Sequence, residues 1–97
     1  MTSNMPPQLT RRRPRVFLEW RTLRSWKKLP EREANVAGFL LRATREDAGL
    51  TQTQLARKLG ISQQAVARAE KWGSNPTVRF MARWADACGR HLEIRLE

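Results

Sequence analysis

Between residues 37 and 89 the apolar positions fall into four short bursts at helical spacing, each followed by a glycine. In the first, Ala37, Leu41, Thr44 and Ala48 share one face of a helix that begins near Asn35, a good N-cap, and stops at Gly49. Phe39 and Leu40 fall off that stripe and predict a second apolar contact, with either the Trp20/Trp26 segment or another subunit. Thr51 caps the next helix, residues 52–59, which turns Leu55, Ala56 and Leu59 inward before Gly60 supplies a left-handed turn. Ser62 caps a third helix, from 63 to about 72, with Val66, Ala69 and Ala65 inward and Gln63, Gln64, Ala67, Arg68 and Lys71 outward. After a loop over 73–77, Thr77 caps a helix to Cys88, with Val78, Met81, Ala82, Ala85 and Cys88 on one face and Gly89 as its stop.

The flanks differ. Phe17, Trp20, Leu23, Trp26 and Leu29 recur at every third position between Pro14 and Pro30, which predicts a further helix within an extension over 16–34. Its tryptophans either cover the main domain as ordinary packing or, with Phe17 and Leu23, form a surface for a partner. Residues 1–15 hold Pro6, Pro7, Pro14 and a run of arginines and have little apolar surface to bury, the composition of a disordered basic arm. At the other end, residues 91–97 alternate, with Leu92, Ile94 and Leu96 on one side, as a half-buried strand would. No other segment alternates this way, so the strand needs a partner from outside the chain. The same strand of a second copy would make a homodimer with two-fold symmetry, and strand addition by another protein would satisfy the edge equally. The expected architecture is all-α: a bundle of four to five helices over 35–97, closed by a short C-terminal strand paired across a dimer.

Charge adds a ligand class. Nineteen Lys and Arg stand against nine Asp and Glu, a net +10 on 97 residues, which suits a phosphate-bearing partner. Nine basic and three acidic residues precede Asn35, and ten and six follow from it, so the positive charge is denser in the extension. Arg11, Arg12, Arg13 and Arg15 fit either a solubilising tail or an arm that contacts phosphates or the minor groove. Cys88 is the sole cysteine, which excludes an internal disulfide and a multi-thiolate zinc site and predicts no metal or other cofactor. No apolar run is long enough to span a membrane, and the opening residues lack the apolar core of a signal peptide, so a cytoplasmic protein is expected. His91 is the only histidine, and no nucleophile–base set or phosphate loop occurs, so the chain does not read as an enzyme.

Residues 49–70 hold two short amphipathic helices about a glycine turn, the arrangement by which helix-turn-helix proteins read DNA. Gln63 and Gln64 open the second helix, where a glutamine amide matches the N6 and N7 atoms of adenine. Ser62 and Ala65 complete that end, and Arg68, one turn beyond Gln64, can fork onto guanine or grip a phosphate. Thr51 and Gln52, with Gln54, can meet a phosphate at the preceding helix start, and Asn75 and Thr77 can do so at the entry to the last helix.

Over residues 49–76 the sequence resembles the phage-repressor (Xre/Cro) helix-turn-helix family, and the likeness extends over about 37–89. The resemblance implies a lambda-repressor-like bundle and an ion pair between Arg45 and Glu70, which occupy the positions of the family's arginine and glutamate. One departure is visible: the family usually has glycine two residues after that glutamate, whereas Trp72 stands here and Gly73 follows. Trp72 therefore either prolongs its helix by a residue or docks beside Trp84. The Asn75-Pro76-Thr77 entry and the short terminal segment also resemble antitoxins of the HigA and HipB type, dimeric repressors of their own operons that hold a cognate toxin. The resemblance implies an autoregulatory repressor of double-stranded DNA, with a toxin as further partner. A protein that chiefly inhibits a toxin, or a basic RNA-binding accessory protein, are the alternatives.

Overall fold

The computed structural model describes residues 16–25 and 36–94, apart from the Leu23 side chain, and the chain divides into two compact units, Met1–Val36 and Ala37–Glu97. The basic arm, Trp26, Asn35 and Leu96 lie outside the described residues.

In the first unit, helix α1 spans Phe17–Ser25. Phe17 and Trp20, one turn apart, stack at 5.8 Å and 28°, and both are buried. Arg21 and Arg24 lie over the Phe17 and Trp20 rings at 5.9 and 5.6 Å. Among the described residues here the large apolar side chains that are exposed are Val16 and Leu18, while Phe17 and Trp20, two of the four residues offered as partner contacts, are buried.

The second unit holds α2 (Ala37–Asp47), α3 (Gln52–Leu59), α4 (Gln63–Ala69) and α5 (Val78–Ala87). Each of α3, α4 and α5 starts at a hydroxyl cap: Thr51, Ser62 and Thr77 accept from the backbone N–H three residues on. At Thr51 the cap is reciprocal, because Gln54 Oε1 accepts the Thr51 N–H at 2.9 Å. Gly60 ends α3 at φ +70°, a conformation costly for any residue with a Cβ, and Ile61 N–H then reaches back to the Ala56 carbonyl. Arg83 of α5 donates to the Leu59 carbonyl at 2.8 Å, placing a cation at the negative end of α3.

Leu41, Leu55, Ala56, Leu59, Val66, Trp84 and Cys88 form the core, with α3 packed on both α4 and α5 and α2 on α5. Trp84 is its largest member, fully buried, and its indole N–H donates to the Leu41 carbonyl at 3.0 Å. No buried side-chain nitrogen or oxygen among the described residues lacks a partner. Burial also pushes the Cys88 thiol above its ordinary pKa, against the weaker pull of Arg45.

Four expectations change. The buried side of α5 centres on Trp84, while Val78 is exposed, because its first-turn position lies at the edge of the bundle and the larger apolar ring takes the interior. Helix α4 ends at Ala69 rather than near 72, since the Ser74 hydroxyl takes the Ala69 carbonyl and turns the chain. Trp72 consequently leaves the helix and meets Phe39 edge-on at 5.5 Å and 70°, while Trp84 pairs with Phe80. The off-stripe Phe39 thus finds a contact within its own unit. Finally, residues 91–94 form no strand, and none occurs among the described residues: a strand exists only with a hydrogen-bonded neighbour, and a single chain supplies none. Ile94 is exposed.

Candidate nucleic-acid interface

The starts of α3, capped by Thr51, and α4, capped by Ser62, meet through their glutamines. Gln63 Nε2 donates to Gln52 Oε1, and Gln52 Nε2 donates to Glu70 Oε1 at 3.0 Å. Glu70 is also held by Arg45, whose Nε and Nη2 meet its two carboxylate oxygens in a bidentate fork, with Nη2 to Oε1 at 3.0 Å. Arg45 Nη1 donates to the Leu50 carbonyl at 2.8 Å. Both residues of the pair are buried, and the Glu70 hydrogen bond raises the Arg45 pKa despite burial, so the guanidinium keeps its charge at every working pH.

This chain has a direction. A carboxylate only accepts, so the Gln52 amide must turn its NH2 to Glu70 and its oxygen to Gln63. Gln63 therefore spends one N–H on Gln52 and keeps its oxygen and second N–H for the outside. That pair of groups is the complement of adenine N6–H and N7.

Gln63, Gln64 and Arg68 are all exposed, with Gln64 and Arg68 one helical turn apart, while Ala65 and Ala67 are half-buried. Beyond Arg68 an open groove lined by Ser74, Asn75, Thr77 and Phe80 separates α4 from the start of α5. Asn75 and Thr77 are exposed, although the Thr77 hydroxyl accepts from Phe80 N–H at 3.1 Å. Thr51 and Gln54 are likewise exposed, but their side chains are engaged with each other's backbone at the α3 cap. Gln52 is only partly exposed and is committed to Glu70 and Gln63. Sequence reasoning missed this double role, and no signal in residue type reveals it. Of the three residues named for dimerisation, Ile94 is exposed and Leu92 half-buried.

No group of three or more His, Cys, Asp or Glu among the described residues could hold a metal ion, and no helix there is long and apolar enough to cross a membrane. No solved structure matches the chain. One relative is an uncharacterized HTH-type transcriptional regulator of Methanothermobacter thermautotrophicus (strain Delta H), 38% identical over 55 residues that make up 56% of this chain and 80% of that protein. The helix-turn-helix (HTH_3) family model matches residues 41–94, more than half of the sequence and all of α3, α4 and α5. With that match falling on the capped helix pair, the chain belongs to the helix-turn-helix family.

Proposed function

We propose that this protein is a sequence-preferring DNA-binding transcription regulator that represses by occupying an operator, its own promoter included. The observation that carries this reading is the ordered chain from Arg45 through Glu70 and Gln52 to Gln63, which prepares an amide for a base edge at the start of an exposed helix. Gln64 and Arg68 extend the row along the groove, and the net charge of +10 supplies the sequence-independent part of the affinity. The relative's designation as a transcriptional regulator supports the same assignment.

A homodimer suits a helix this short, since one reading helix spans few base pairs and two copies read two half-sites. Residues 91–97 are the proposed seam, with Leu92, Ile94 and Leu96 as its apolar contacts. The likeness to antitoxins adds a toxin as a second partner of the same repressor.

The test is binding of the purified protein to DNA from immediately upstream of its own coding region, against scrambled DNA at physiological salt. Tight binding to the first alone, lost in Gln63→Ala/Gln64→Ala, supports autoregulation through α4. Equal weak binding to both DNAs would instead favour a basic accessory role or a toxin-binding one.

A further inference from the structure

Gly38 is buried in α2, and its surroundings leave no space for a side chain. A β-carbon there would stand 2.0 Å from the Lys71 carbonyl oxygen, 2.8 Å from the carbonyl carbon and 2.8 Å from Ser74 Oγ. The α2 backbone thus lies directly against the chain just past α4. One residue on, Phe39 and Trp72 meet in a T-shaped contact. Ser74 closes this turn, its N–H donating to the Lys71 carbonyl at 3.1 Å and its hydroxyl to that of Ala69 at 2.7 Å. Two turns along α2 from Gly38, and on the same side, Arg45 holds Glu70. Helix α2 therefore grips the exit of α4 at two levels, by an ion pair at residue 70 and by a backbone and aromatic contact at 71–74.

We infer that Gly38, Phe39 and Trp72 are positioning residues for DNA reading: their contact fixes the C-terminal end of α4 and so the angle at which Gln64 and Arg68 enter the groove. The inference rests on the function proposed above. A seven-residue helix draws its order from packing rather than from its own hydrogen bonds. Its first turn is fixed by Ser62 and by the Gln63–Gln52 bond, so losing the outer of the two grips lets the far end of α4 shift about that first turn, with the Arg45–Glu70 pair as the remaining hold. None of the three residues belongs to the exposed row that faces outward.

The experiment uses the full chain with Phe39→Ala, Trp72→Ala, both together, and Trp72→Phe. Two quantities are read: amide hydrogen exchange along α3 and α4, and the ratio of affinities for a duplex that the wild-type protein selects from a randomised pool and for its scrambled counterpart. Either alanine variant is expected to speed exchange at Glu70, Lys71 and Ser74 about tenfold while α3 is unchanged. The affinity ratio should fall about tenfold, the worth of one good base contact. The double variant should be no worse than either single one, as for two partners in one contact, and Trp72→Phe, which keeps a ring edge, should retain the wild-type ratio. Should the alanine variants unfold, Phe39→Leu and Trp72→Leu keep an apolar side chain, lose the ring–ring contact and carry the same expectation. Unchanged exchange overturns the inference, and so does faster exchange with an unchanged ratio, which would leave a merely structural contact. If the wild-type protein selects no sequence, the proposed function fails and the positioning role with it, whereas the exchange data still report whether the contact holds the helix.

Discussion

The bidentate fork between Arg45 and Glu70 makes either residue sensitive to substitution. Glu70→Gln or Arg45→Met strands one buried charge, and chemical denaturation should show a loss of about 3–5 kcal/mol. Gly38→Ala exchanges about 1 kcal/mol of improved helix propensity for a clash with a backbone carbonyl that cannot rotate away. The clash wins, because overpacking of this kind costs about 1–3 kcal/mol or more, so a melting curve should move down. Cys88 provides the pH dependence. Its folded pKa is raised by burial, so its contribution is fully present below the ordinary thiol range and is lost as pH rises through the folded value. Stability measured between pH 7 and 10 should be level at first and then fall, and Cys88→Ala should flatten the alkaline part of that curve.

Among the helices, stability is concentrated at the ends. Thr51→Ala removes the hydroxyl cap, leaves the backbone N–H bond to Gln54, and should cost about 1 kcal/mol, more than an exposed substitution such as Thr53→Ala in the same helix. The starts of α3, α4 and α5 and the stop at Gly60 were legible in the sequence because capping is local and needs no knowledge of the rest of the fold, whereas the end of α4 at Ala69 was not, since it depends on Ser74 folding back. The buried faces of α2 and α5 were less so. Periodicity put Val78 inside and passed over Trp84, since a stripe fixes the angular spacing of apolar residues but not which neighbouring face the bundle covers. Gly38 carries no mark at all, because a glycine within a helix reads only as a weak helix former until the opposing backbone is known. Likewise the pairing of Arg45 with Glu70 entered through family likeness, whereas the link from Glu70 through Gln52 to Gln63 depends on two helix starts meeting in space. Alternation over 91–97 reports which side of a segment is apolar and says nothing of what pairs with it.

For the whole molecule, affinity and preference should separate experimentally. Replacing Gln63 and Gln64 by alanine removes amides and no charge, so the dependence of DNA binding on salt should keep its slope while discrimination falls by about 1–3 kcal/mol per lost bidentate contact. Sedimentation of Leu92→Glu/Ile94→Glu should give a monomer, and operator affinity should fall with the loss of the second half-site. The two tryptophans of the second unit have a further consequence. The chain contains no tyrosine, so its near-ultraviolet emission comes from indole. Trp84 is buried and hydrogen-bonded, whereas Trp72 is half-exposed at the turn that follows α4. With Trp20 and Trp26 replaced by phenylalanine, an aqueous quencher such as iodide therefore reaches one ring and not the other, and the remaining emission becomes, without any attached dye, an optical gauge of how α4 sits.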